Sequence, residues 1–340
     1  MWIVLAAVAV LGGAVAALAA YTLSARDETR PYGIASGGSF ERREPAELAR
    51  ELDGYGALGV EWIRFDAKWR EIEASKDSYE WSKLDTAVND SIARGLNVQL
   101  VLAYSPPWAN GEGGDKVPPT DAHFAEYAEF AGDVVARYRP KGVRAYEVWN
   151  EPNLGCCFWR PRAEPERYAR LLAQAYETMK ARAPDITVLG MALSGATDDE
   201  MNMTPNTFTQ RAYAAGAKLD ALSVHPYLGV SNDPTFEWEH WQYAGTGSWF
   251  GSCPSVRCTM VENGDGGKKI WATEVGQPQL DLAPSAVPRI FDKWRSYDFT
   301  GPAFWYTYRD SDAHALVDPA TWEPRPAWFR LRDHIAAAGS

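Results

Sequence analysis

From Pro31 onward, eight short runs rich in β-branched and aromatic residues alternate with stretches of helical period. The runs are Tyr32–Ala35, Val60–Phe65, Val98–Ala103, Ala145–Trp149, Thr187–Met191, Ala221–Val224, Ile270–Thr273 and Pro302–Tyr306. One helical stretch carries Trp81, Leu84, Val88 and Ile92. Another carries Phe124, Tyr127, Ala131, Val134 and Tyr138 behind the capping residues Thr120 and Asp121. A third runs from about Glu164 to Ala183, with Tyr168, Leu171, Leu172 and Tyr176 on one side. Strands that alternate with helices pair in parallel through βαβ units. Eight of them in one domain predict a closed (β/α)8 TIM barrel. An open doubly wound sheet is the alternative, but no GxGxxG turn follows the first run. The segment from Ser231 to Gly267 is rich in Gly, Ser, Asn and Trp and lacks a period, so it reads as a long loop that helps to shape a site.

Ahead of the barrel, Trp2 to Leu23 is an apolar run without charge. At 1.5 Å per residue it reaches roughly 33 Å, about the thickness of a bilayer core. No Lys or Arg precedes it, which favours an uncleaved anchor over a cleaved signal, although Ala17-Leu18-Ala19 offers a small-residue cleavage site. Arg26 and Arg30 follow but are interleaved with Asp27 and Glu28, so orientation is poorly encoded. The expected division is a membrane anchor or signal segment over 1–25 and one catalytic barrel over 26–340. That places the body outside the cytoplasm, membrane-anchored or secreted. The four cysteines suit such a compartment: Cys253 and Cys258 are expected to close a small loop, and the pairing of Cys156 and Cys157 stays open. Neither pair has zinc-site spacing. A formal net charge of −11 argues against nucleic acid as a partner.

In a parallel barrel, reactive groups project from the C-terminal ends of the strands. Those ends offer Arg64 and Asp66, Tyr104 and Trp108, Asn150 and Glu151, His225 and Tyr227, Glu274, then Trp305 and Tyr308. Asp66 reads as a structural partner rather than a catalyst. Glu151 stands in Trp149-Asn150-Glu151-Pro152, where proline stops the ladder directly after the acid. Glu274 ends the apolar run Ile270-Trp271-Ala272-Thr273 just before Gly276. Two carboxylates on different strand ends are what cleavage of a glycosidic bond requires, one as acid/base and one as nucleophile.

On these motifs the chain resembles the retaining glycoside hydrolases of clan A, particularly the cellulase-like families 5 and 39, from about Pro31 to Ala336. The resemblance implies that Glu151 is the acid/base and Glu274 the nucleophile. It also implies that Asn150 holds the sugar's 2-hydroxyl and that Arg64 and Tyr227 hydrogen-bond the nucleophile, with support from His225 and Trp305. The third strand departs from the pattern, ending in Tyr104-Ser105-Pro106-Pro107-Trp108 where many relatives place a histidine. Trp108 is nonetheless expected at the substrate. No metal or organic cofactor is required, and the expected partner is an oligosaccharide or an extracellular or envelope polysaccharide. Endo action is expected because the loop residues Trp159 and Trp249 would suit an extended groove. The alternatives are an exo-acting β-glycosidase of the β-xylosidase type, a transglycosylase, and a catalytically silent carbohydrate-binding barrel.

Overall fold

A computed structural model describes residues 32–111, 113–227, 243, 253–278, 280–309 and 313–339. The apolar N-terminal run, with its anchor or signal reading, and Trp249 lie outside the described residues. No helix among the described residues is long and apolar enough to cross a membrane.

Each of the eight runs is a strand: β1 (Tyr32–Ala35), β2 (Trp62–Lys68), β3 (Asn97–Ala103), β4 (Ala145–Val148), β5 (Thr187–Ser194), β6 (Ala221–His225), β7 (Ile270–Val275) and β8 (Thr300–Tyr306). All pair in parallel in sequence order, and β8 closes on β1 through Tyr32↔Ala303 to Ala35↔Tyr306. The barrel expected from the alternation is therefore present. A helix follows each strand: α1 (Pro45–Leu58), α2 (Ser82–Ala93), α3 (Phe124–Tyr138), α4 (Pro165–Arg182), α5 (Pro205–Ala214), α6 (Val256–Glu262), α7 (Ala283–Arg295) and α8 (Pro326–Ala338). Leu84 and Val88 are buried on α2, and all five residues of the second helical stretch are buried on α3. Thr120 makes no cap for α3, because a 3-10 turn at Asp121–His123 intervenes. Asp121 instead binds Arg167 at 2.6 Å and Arg170 at 2.8 Å. The expected loop over Ser231–Gly267 contains α6, short enough to leave little periodic signal.

Side chains alternate across each strand, and that parity decides what reaches the barrel interior. Below, Trp62, Ala145, Leu189, Ala221, Trp271 and Phe304 make an apolar floor, with Trp62 edge-on to Trp271 at 5.3 Å. Glycine is needed there for space: a Cβ on Gly33 would fall 2.4 Å from Phe304, and one on Gly301 2.5 Å from Trp271. Outside, a main core fills the gap between strands and helices. It absorbs Trp149 and Trp159, whose rings meet at 5.4 Å before Trp159 meets Tyr168 at 5.6 Å. Both indoles are fully buried. Trp159 is thus part of the wall behind β4 and not a groove platform, and the aromatic argument for endo action from Trp159 goes with it. Two disulfides are present, Cys253–Cys258 as expected and the adjacent pair Cys156–Cys157.

Candidate active site

Polar residues replace the apolar floor toward the C-terminal ends of the strands. On β2, Arg64, Asp66 and Lys68 follow Trp62 inward, while Ile63, Phe65 and Ala67 enter the outer core. On β4, Ala145 joins the floor and Glu147 is fully buried one step above it. The chain then leaves β4 with positive φ at Trp149 (68°) and Glu151 (45°). Such a conformation costs a side-chain-bearing residue roughly 1–3 kcal/mol and persists only where its surroundings impose it. Here the Trp149 amide donates to Leu102 O at 3.0 Å and the Glu151 amide to Ala192 O at 3.1 Å. The Trp149 indole also donates to Phe158 O at 2.8 Å. The acid's backbone is thereby tied to β3, β5 and its own loop. On β7 the ladder to β8 shifts register between Ala272↔Ala303 and Val275↔Trp305, and both Thr273 and the next residue, Glu274, reach the interior.

The two predicted acids meet. A carboxylate oxygen of Glu151, one of Glu274 and a ring nitrogen of His225 all lie within 4.8 Å of one another. His225 Nδ1 is 2.8 Å from Glu151 Oε1 and 3.7 Å from Glu274 Oε2. Arg64 fans out to three partners: Nη1 donates to Glu274 Oε1 at 2.6 Å, Nη2 to Asn150 Oδ1 at 2.8 Å and Nε to Glu147 Oε2 at 2.7 Å. The Tyr227 hydroxyl donates to Glu274 Oε2. From Glu147 the bonding continues, since the Thr273 hydroxyl donates to Glu147 Oε1 at 2.8 Å and lies 3.1 Å from His225 Nε2. A closed circuit thus joins both acids through Arg64, Glu147, Thr273 and His225.

Burial by itself would raise the Glu274 carboxyl. The charges of His225 and Arg64, with hydrogen bonds from Tyr227 and Arg64, outweigh it and hold Glu274 below the ordinary carboxylate value. Burial would lower His225, but Glu274 and Glu151 hold it above the ordinary imidazole value. Burial and the Glu274 charge push the Tyr227 phenol well up, so it stays a donor.

Above the pair opens a cleft of about 660 Å³ lined by Arg64, Asn150, Glu151, Glu274, Tyr104, Phe158 and Tyr306, and on the β1–β3 side by Asp66, Lys68 and Lys116. Four expected substrate contacts are outside this lining: His225 and Tyr227, which bind Glu151 and Glu274, and Trp305 and Trp108, which pack elsewhere. Trp305 pairs with Ile34 and Val275 on the outer face of the sheet, is fully buried, and gives its N–H to His314 O at 3.1 Å. One residue on, Tyr306 has the inward parity and lines the cleft. Trp108 is outside the cleft lining; its indole donates to Glu73 O at 3.0 Å and packs edge-on to Trp69 at 5.2 Å. Tyr104, on the same segment, takes that place. Tyr308 stacks edge-on to Tyr55 at 5.0 Å in the core. Glu147, Thr273, Tyr306 and Lys116 are the residues that the sequence reading missed.

Metal binding fits neither cluster of candidate ligands among the described residues. In the cluster of Glu151, His225 and Glu274, both His225 nitrogens already face oxygen partners, and Glu274 accepts from Arg64 and Tyr227. In the other, with Glu262, Cys253 and Cys258 are joined to each other and present no thiolate.

No protein-family model matches the chain, and no curated protein matches it by sequence. Solved structures share its fold. A family 39 glycoside hydrolase from the gut symbiont Bacteroides cellulosilyticus superposes with a TM-score of 0.70 at 24% identity, over 91% of this chain and 64% of that one. A monomeric β-xylosidase from Caulobacter crescentus gives 0.68 at 19% identity, over 89% and 67%. GH5_18 from Streptomyces cattleya, in complex with GlcNAc, gives 0.69 at 14% identity, over 92% and 81%. The chain spans about two thirds of the length of the first two. These neighbours are glycoside hydrolases of the clan that the motifs resemble, and at such identities the likeness is one of fold.

Proposed function

We propose that the chain is a retaining glycoside hydrolase that cleaves β-glycosidic bonds by double displacement, with Glu274 as nucleophile and Glu151 as acid/base. The observation that carries this reading is the approach of the two carboxylates, from the ends of β4 and β7, to within 4.8 Å across one histidine. Retaining enzymes hold their carboxyls about 5–5.5 Å apart, whereas inverting enzymes need about 6.5–9.5 Å to admit a water. In the first step a Glu274 oxygen bonds to the anomeric carbon, the glycosidic C–O bond breaks, and the leaving oxygen takes the Glu151 proton. In the second, water gives a proton to Glu151 and its oxygen displaces Glu274, so the anomer is retained.

The circuit supplies proton bookkeeping for both steps. As a carboxylate, Glu147 only accepts, so the Thr273 hydroxyl points to it. Thr273 Oγ1 is then left as an acceptor, and His225 Nε2 must carry a hydrogen. With Nε2 protonated, the 2.8 Å contact between Nδ1 and Glu151 Oε1 needs one shared proton to be attractive. That is the proton which Glu151 gives to the leaving group. Arg64 and Tyr227 meanwhile keep the Glu274 charge ready for attack.

An anchor or signal segment over 1–25 and work on an extracytoplasmic polysaccharide belong to the same proposal. The two disulfides support it, since such bonds persist in oxidising compartments. The test is a 2-deoxy-2-fluoro glycosyl fluoride followed by peptide mapping, with NMR of the product anomer on an unmodified substrate. Label on Glu274 and a retained β-anomer are expected; label elsewhere or an inverted product overturns the mechanism.

A further inference from the structure

The β1–β3 flank of the cleft carries a charge pattern that the proposed chemistry does not use. Most charged side chains on this flank are matched. Lys68 binds Glu41 at 2.7 Å, Arg42 meets Glu71 at 3.3 Å and Arg70 meets Asp115 at 3.5 Å. Two are left over. The Asp66 side chain, on the strand paired with β3, makes no hydrogen bond or ion pair among the described residues, although Lys68, Arg64 and Lys116 attract its charge. Lys116 makes no ion pair there either; its ammonium lies 3.4 Å from the Tyr104 ring centroid and 4.8 Å from that of Phe158. Both line the same cleft as Glu151 and Glu274. Asp66 is two residues beyond Arg64, roughly 6.6 Å further along β2, which places it one sugar-contact distance from the nucleophile's partner. Gly38 lies beside both: a Cβ there would sit 3.5 Å from Asp66 Oδ2 and 3.9 Å from Lys68 Nζ, ordinary contact distances.

We propose that Asp66 and Lys116 are the selectivity pair of this cleft and that they read the hydroxyls of a neutral glycan, excluding uronic acids. The proposal rests on the hydrolase reading for which site the sugar occupies. A carboxylate accepts from two neighbouring hydroxyls at once, and an ammonium over two rings donates to a third oxygen beside them. An acidic sugar would need a spare cation. Among the described residues of this flank, the cation without an ion pair is Lys116, and any carboxylate bound there faces the charges of Asp66 and Asp115. Burial lifts the Asp66 carboxyl above its ordinary value against the pull of Lys68, Arg64 and Lys116, and hydroxyl donors are the contacts that would favour its charged form. Lys116 is correspondingly held below the ordinary lysine value by burial. Stacked over Tyr104 and Phe158, it suits a neutral, polarisable partner better than a second full charge.

Binding separates this proposal from the hydrolase reading. Calorimetric titration of the Glu274→Gln chain with cellotetraose, xylotetraose and mannotetraose, against tetragalacturonate, asks which chemistry the cleft accepts without requiring turnover. At least one neutral tetrasaccharide is expected to bind, and at least tenfold more tightly than tetragalacturonate. Adding Asp66→Ala should weaken that neutral ligand about 10–100-fold, the range that loss of a charge-assisted hydrogen bond produces. Adding Asp66→Asn instead should recover part of the loss and narrow the gap to tetragalacturonate. Tighter binding of tetragalacturonate, no binding by any of the four, or equal affinities with and without Asp66 would each overturn the assignment. Neutral binding followed by no cleavage in the unsubstituted chain would instead remove the hydrolase reading and leave the selectivity pair standing.

Discussion

The two flanks of the barrel mouth are built on opposite rules. Toward β4, β6 and β7, the charged groups of the site among the described residues have fixed partners, and Glu147, Thr273 and His225, with Arg64 reaching across from β2, are buried to within a few percent of exposure. Toward β1–β3, Asp66 and Lys116 have no such partners and look onto open volume. Fixed partners hold protons and charges where a reaction needs them, at no cost of rearrangement during the step. Unmatched groups stay available to a ligand, and their contacts form only when one arrives. On the proposed reading, chemistry and choice of sugar are separated across one cleft, with Glu151 and Glu274 along the seam.

The sharpest way to break that contrast is at the seam. Glu274→Ala should lower kcat by about 10⁴-fold or more, because it removes the covalent route itself. Azide or formate should restore part of the rate, and no rescue with a folded chain would count against the nucleophile. Glu151→Ala should cost about 10²–10⁴-fold on substrates with poor leaving groups and far less on activated aryl glycosides, which need little protonation. An equal loss on both would refute the acid/base role. Within the closed flank, Glu147→Gln should reduce kcat about 10–100-fold and leave KM within about twofold, since the residue touches only other side chains. The amide can donate to Thr273, which frees that hydroxyl to donate to His225 Nε2 and disfavours the imidazolium. The shared proton is then lost at lower pH, so the alkaline limb of kcat/KM moves down. A profile that falls uniformly without moving would make Glu147 a packing residue only.

The contrast also explains which residues the sequence could disclose. The strands were legible because their apolar runs are buried on both faces, and the two acids because each ends such a run beside a glycine or proline break. Glu147 carries a signal of its own, being a lone carboxylate inside the otherwise apolar stretch Ala145–Val148. Likewise Arg64-Phe65-Asp66-Ala67-Lys68 alternates strictly, which marks β2 as continuing beyond Phe65 with a polar inner face. Residue type alone singles out Trp305, and type does not report which face a strand residue occupies. Parity counted from Phe304 selects Tyr306, but fixing that parity takes the register with β1. Trp108 and Lys116 stand in connecting segments, where no period exists to orient a side chain.

The interlocked floor of Trp62, Trp271 and Phe304, seated on Gly33 and Gly301, has a bearing on how such a catalyst could be retuned. Those rings brace the staves from beneath, and neither Asp66 nor Lys116 belongs to that cluster. Exchanging the residues at 66 and 116 would therefore alter diet without loosening the vessel, whereas a single methyl group added at 33 would press on the bottom and be felt at every strand.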